Sequence, residues 1–142
     1  MAPKRRKMIA RGLLTKKVRK ITYVLLVKKI HEPDTYELPG GARKRNEKWT
    51  AALIRELREE LNISVGTQEC KKWGEGILRT SHDPSETIRV ALYTVRHKGR
   101  LKAKNEITEY KWVALHDLSR VPLERKTKIM LWLYFRFGGG SP

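Results

Sequence analysis

Glu56, Glu59 and Glu60 stand at i, i+3 and i+4 in the string RELREEL. On a helix at 100° per residue this spacing gathers three carboxylates into an arc of about 100°. Charges that close repel one another. Arg55, four residues before Glu59, offsets part of the repulsion. A divalent ion offsets more. Hard oxygen donors on one face suit Mg²⁺ or Mn²⁺, which keep several waters and share their coordination with phosphate oxygens. The same string also suits a solvated helix face laced with i,i+4 ion pairs, so the triad alone leaves both readings open.

The elements that must carry the triad are legible around it. Leu53, Ile54, Leu57 and Leu61 recur at helical spacing, which predicts a helix from Lys48 to Leu61 with an apolar face beside the acidic arc. Asn62 suits the left-handed position that ends such a helix. Upstream, Ile21–Ile30 (ITYVLLVKKI) reads as a strand buried on both faces, and Pro33-Asp34 breaks it. Tyr36-Glu37-Leu38 is a short extended piece that leads into the turn Pro39-Gly40-Gly41. Trp73–Thr80, Glu86–Val95 and Tyr110–Leu115 read as further strands, with a turn at Ser81–Ser85. Pro122 suits the first turn of a last helix, Leu123–Phe137, whose buried side is Ile129, Met130, Leu133, Tyr134 and Phe137. This order predicts an α+β fold, an α/β/α sandwich.

Length and composition set the bounds. The 142 residues make one domain with one core. Lys plus Arg is 32 against 15 Asp plus Glu, a formal net charge of +17. A chain so basic attracts polyanions through its field alone: nucleic acid, nucleotides or an anionic surface. The single Cys70 excludes an intrachain disulfide and makes a reducing compartment the simpler assumption. No apolar run approaches the ~20 residues of a membrane-spanning helix, and no apolar stretch follows the basic N-terminus as a secretory signal requires. The expectation is a cytoplasmic protein, with nuclear placement as the alternative suggested by its basic start. The first carboxylate is Glu32. The expected organisation is a basic N-terminal arm at 1–17, a domain at 18–137 and a flexible tail at 138–142.

The spacing upstream of the triad sharpens the reading. Gly41 is followed by five residues, Glu47, seven residues, Arg55-Glu56, Leu57, Arg58, Glu59-Glu60, Leu61, Asn62 and Ile63. This stretch resembles the signature of the Nudix hydrolase family, and every defined position matches except the final Gly, which is Asn62. Leu38-Pro39-Gly40-Gly41 resembles the family's lead into that box. Glu106 to Val113 resembles its later acidic segment running into a strand. The layout of residues 18–137 is similar to a Nudix-like mixed β-sheet packed between helices, although the specific part is the 23-residue box.

The resemblance implies a metal-dependent hydrolase of a nucleoside diphosphate linked to another group. It implies that Glu56, Glu59 and Glu60 ligate Mg²⁺ (or Mn²⁺), with the Gly40 carbonyl as an additional ligand. It implies that Glu47 and Arg55 pair and aim the carboxylates. Glu106 is the candidate further carboxylate, as ligand or general base, with Glu109 as the alternative. Arg43 and Lys44 (with Arg45) are candidates for phosphate contacts.

The substrate is the open question. No ADP-ribose, dinucleoside polyphosphate, NADH or coenzyme A signal follows the box. By elimination the expectation is a (d)NTP pyrophosphohydrolase similar to the MutT group. The alternative is an RNA-directed protein, acting on a 5′ end or binding RNA, because small nucleotides need no field of +17. The four histidines have no metal-ligand spacing, and neither a Ser–His–Asp pattern nor a P-loop is present.

Overall fold

The computed structural model describes residues 7–79 and 86–137. The N-terminal six residues of the expected arm, the turn at Ser81–Ser85, the expected tail at 138–142 and the side chain of Phe137 lie outside the described part.

Two four-stranded sheets lie between two helices. The first sheet runs β5–β1–β7–β6, with β1 (Lys7–Leu13), β5 (Gly40–Ala42), β6 (Cys70–Arg79) and β7 (Thr87–Val95). The β1–β7 pair is parallel and the others are antiparallel, so this sheet is mixed. In the second sheet β3 (Ile21–Lys29) pairs with β2 (Thr15–Val18), β4 (Glu32–Glu37) and β8 (Ile107–Ala114), all antiparallel. The helices are α1 (Trp49–Leu61) and α2 (Arg125–Phe137).

The central strands explain themselves by their pleat. Leu25 and Val27 enter a core that includes Leu53, Leu57 and Leu61 of α1, while Val24 and Leu26 enter a second core that includes Met130 and Leu131 of α2. Alternate side chains point to opposite faces, so an unbroken apolar run fills both cores. The α/β/α sandwich expected from the order of elements is what forms.

The N-terminal boundary differs from expectation. Of the expected arm at 1–17, residues 7–13 form β1, which pairs with both β5 and β7 inside the first sheet. Ile9, Ala10, Leu13 and Leu14 are buried. The basic residues hid this strand. Arg11 interrupts its apolar pattern, yet it is itself buried and paired with Glu37 and Glu124. Gly12 brings α1 close: a Cβ there would lie 3.3 Å from Leu53 Cδ1.

Two other boundaries move. Pro33 does not end the sheet but lies within β4, which tolerates it as an edge strand. The last helix starts at Arg125 rather than Leu123, because the chain before it pairs with β4. Tyr36 N donates to Pro122 O at 2.8 Å and Glu124 N donates to Tyr36 O at 2.9 Å. The buried side of α2 is turned accordingly: Thr127, Met130 and Leu131 are buried, whereas Ile129 and Leu133 are half-buried.

Candidate active site

Helix α1 sets two of the predicted carboxylates in place. It buries Ala52, Leu53, Leu57 and Leu61 against the sheet, and Glu60 lies on this buried side with 1% of its surface exposed. The helix ends at Asn62 in the left-handed conformation (φ 59°, ψ 29°). Asn62 N donates to Arg58 O at 3.1 Å and Ile63 N donates to Leu57 O at 3.2 Å, closing the last turn. Asn therefore serves at the one position where the box departs from Gly.

The loop before β8 wraps the same helix end. Lys102 N donates to Leu61 O, Lys104 N to Glu60 O and Asn105 Nδ2 to Glu59 O, the last at 2.8 Å. Asn105 also takes a positive φ of 53°. These bonds satisfy helix carbonyls that would otherwise lack partners and carry Glu106 to the acidic face. The result is a cluster. Carboxylate oxygens of Glu56, Glu60 and Glu106 lie within 4.8 Å of one another. Glu109 points elsewhere, accepting from Tyr36 OH at 2.7 Å and pairing with Lys28 at 3.3 Å. The structure thus separates the two candidates for the extra carboxylate by position.

The loop and turn complete the surroundings. Gly40 has φ +133°, and a Cβ there would lie 2.1 Å from Ala10 O, so only glycine fits. Its N–H points at Glu60 Oε2, at 3.5 Å. Gly41 is needed for a different reason: a Cβ there would meet the Glu56 carboxyl carbon at 2.7 Å. Arg55 grips Glu47 with Nε and Nη2, and its Nη1 donates to Glu56 at 2.9 Å. Arg55 Nη2 also reaches Ala42 O at 3.1 Å, tying loop to helix. Hydrogen bonds from Arg55 hold the Glu47 carboxyl at a pKa of about 2, and Arg55 is raised in return.

Other predicted residues sit apart. Glu59 lies outside the cluster; it is 48% exposed, with Arg55 Nη1 at 3.4 Å. Arg43 donates to the Glu47 carbonyl at 3.2 Å and so braces the loop. The Lys44 side chain is exposed, while its backbone N–H donates to Glu47 Oε1 at 3.0 Å.

Sequence reasoning missed two buried charges, Arg11 and Glu37, and the half-buried Lys29 beside them. Lys29, at the end of β3, donates to the Gly40 carbonyl at 3.2 Å and pairs with Glu37 at 2.9 Å. It also lies 3.9 Å from Glu60 and 4.0 Å from Glu106. Glu37 in turn pairs with buried Arg11 at 3.3 Å. Burial works against the Glu37 carboxylate, yet Arg11 and Lys29 hold its pKa at about 2. The available signal was a charge at the end of a strand for Lys29 and Glu37, and inside an apolar strand for Arg11, which periodicity alone does not distinguish from a solvated position. Glu60 behaves in the opposite sense. Burial pushes its carboxyl well up, Lys29 opposes this, and the Glu56 charge adds to it.

A family profile for the NUDIX domain matches residues 5–133 of the chain. The chain belongs to the Nudix family. The matched span begins before β1, in keeping with a first strand that is integral to the domain. Solved structures agree on the fold. The NUDIX domain of Shewanella oneidensis NrtR, solved in complex with ADP ribose, superposes with a TM-score of 0.78 at 18% identity, covering 94% of this chain and 88% of that one. A Caenorhabditis elegans Ap4A hydrolase gives 0.72 at 19%, covering 95% and 99%. A MutT/nudix family protein from Enterococcus faecalis gives 0.67 at 21%, covering 78% of this chain and 44% of that longer chain. A search of curated proteins finds no match. This Nudix chain is accordingly a hydrolase of phosphoanhydride bonds by family.

The cluster fits the divalent ion that such chemistry uses. Its donors are all oxygen, the set that Mg²⁺ and Mn²⁺ accept. Glu60 Oε1 is buried and has no hydrogen-bond partner. Lys29 Nζ stands 3.9 Å from it, beyond hydrogen-bond reach, so this buried oxygen is costly and a cation placed closer lowers the cost.

Proposed function

We propose that the chain is a Mg²⁺- or Mn²⁺-dependent pyrophosphohydrolase that cleaves a nucleoside diphosphate linked to another group, a (d)NTP or a related nucleotide. One observation carries this reading: three carboxylates, two from α1 and one just before β8, meet within 4.8 Å, and the buried Glu60 Oε1 among them accepts no hydrogen bond.

Glu56, Glu60, Glu106 and the Gly40 carbonyl would hold the ion, with Glu59 the remaining carboxylate on the same helical face. The bound ion supplies charge neutralisation of phosphate oxygens and a water of lowered pKa. The chain's own residues do the rest. Glu106, with 43% of its side chain exposed, is the solvent-open member of the cluster and would accept a proton from attacking water. Glu47 and Arg55 fix the helix against the loop, and Gly41 leaves room for Glu56. Lys44 and Arg45, exposed at the loop surface, are the cations available to phosphate oxygens, while Arg43 braces the loop behind them.

The choice of a (d)NTP rests on the lack of signals for other substrates after the box. The NrtR domain bound to ADP ribose and the Ap4A hydrolase make those two nucleotides the first competitors. The use of the fold on an RNA end rests on the net charge of +17. One panel tests all of these. Wild type is assayed with Mg²⁺ and Mn²⁺ against NTPs, dNTPs, ADP-ribose, Ap4A and triphosphorylated RNA. Turnover of a mononucleotide ahead of the others supports the proposal, and preference for triphosphorylated RNA transfers it to the RNA reading.

A further inference from the structure

Among the groups around the carboxylate cluster, Lys29 has no place in the reading above. The chain spends structure on it. The β3–β8 register shifts between Lys28 and Lys29, and the β3–β4 register shifts between Val27 and Lys29. Irregularities of this kind re-aim a side chain at the end of a strand. Lys28 goes to Glu109 and the Tyr36 ring, whereas Lys29 goes to the cluster.

Its ammonium has three donor hydrogens and no acceptor. Around it stand the Gly40 carbonyl at 3.2 Å, Glu37 at 2.9 Å, Glu60 at 3.9 Å and Glu106 at 4.0 Å. Apart from Glu37, these are the oxygens assigned above to a divalent ion. Its side chain is 16% exposed, and those of Glu37 and Glu60 are 4% and 1% exposed, so solvent screens these charges little. Without a cation, Glu56, Glu60 and Glu106 would drive one another apart. Lys29 supplies one from within the chain.

We propose that Lys29 is the resident cation of the cluster: its ammonium holds Gly40, Glu60 and Glu106 together before a divalent ion binds, competes with that ion for their oxygens, and withdraws onto Glu37 when the ion enters. Glu37 is suited to receive it, since Arg11 already keeps Glu37 ionised and fixed from the other side. The inference rests on the divalent-ion reading for the identity of the competitor, and on Lys29's own contacts for the rest.

The test is Mn²⁺ binding to the full chain without nucleotide, followed by the paramagnetic resonance of free Mn²⁺, for wild type and Lys29→Met. The expected result is about tenfold tighter binding in K29M, together with a lower melting temperature in EDTA that saturating Mn²⁺ recovers. Equal or weaker Mn²⁺ binding in K29M overturns the proposal. Direct occupancy is read in wild type, which also covers the case of a variant that does not fold. The ¹⁵N resonance of the Lys29 ammonium is followed through a Mg²⁺ titration. A shift that saturates with the ion supports displacement, and an unmoved resonance overturns it. The two readings fail separately. Mn²⁺ uptake by K29M alone would sink metal use by the native chain and the displacement of Lys29, and leave only its place as the cluster's resident cation. Metal-dependent turnover in wild type with no gain in K29M would do the reverse.

Discussion

The guanidinium of Arg55 holds the carboxylate of Glu47 by two parallel bonds, Nε to Oε2 at 2.8 Å and Nη2 to Oε1 at 3.0 Å. Arg55 thereby ties the loop before α1 to the helix and turns its remaining edge to Glu56. Two planar groups in register give direction as well as attraction, which a lysine cannot reproduce.

Arg55→Lys should therefore cost activity without unfolding the chain. The expected loss in kcat is about 10–100-fold, the range found when a partner behind a metal ligand is removed, with KM for nucleotide little changed. Steady-state kinetics over a Mg²⁺ series checks this. An unaltered kcat would mean that the pair does not aim Glu56.

The same pair makes stability depend on pH in a defined direction. Glu47 titrates at about 2 in the folded chain, below the ordinary value of about 4.3. Its contribution is complete above pH ~4.5 and is lost as pH falls toward 2. Urea midpoints of wild type and Glu47→Gln should differ at pH 7, and the gap should narrow at pH 3. A gap that stays constant over that interval would contradict the assignment.

Gly41→Ala should act on Glu56 alone. The added Cβ falls 2.7 Å from the Glu56 carboxyl carbon, a flexible side-chain end that can swing out of the cluster. Expected is a loss of at least about tenfold in turnover at near-native melting temperature. Gly40→Ala is the contrast. Its Cβ would strike the backbone oxygen of Ala10, so that variant should be strongly destabilised.

Glu106 and Glu109 should separate sharply. Glu106→Gln removes a cluster oxygen and should reduce kcat by about 10²-fold or more. Glu109→Gln alters contacts to Tyr36 and Lys28, away from the cluster, and kcat should change less than about twofold. Comparable losses in both would return the two carboxylates to equal standing.

These contrasts mark how far the sequence could be read. Helix α1, its apolar face and its stop at Asn62 were visible because each follows from local rules: 3.6-residue periodicity and a residue that tolerates positive φ. Strand β3 was visible as an apolar run filling two cores. Strand β1 was not, because Arg11 looks like a surface residue until Glu37 and Glu124, both distant in sequence, neutralise it. Lys29 was hidden for the same reason, since a bulge formed by three strands decides where it points. Glu106 could be named from the resemblance, but its separation from Glu109 depended on Asn105 bonding to the Glu59 carbonyl. Contacts of this kind lie between elements, where no periodic pattern records them.

The central claim is that Glu56, Glu60 and Glu106 form one metal-dependent hydrolytic centre. It is tested most directly by measuring phosphate or pyrophosphate release from the preferred nucleotide at saturating Mg²⁺, for wild type, Glu56→Gln and Glu60→Gln, each checked for native circular dichroism. The account predicts turnover in wild type that EDTA abolishes, and a fall of about 10²-fold or more in both folded variants. Turnover that survives EDTA, or that is undiminished in either variant, would contradict it.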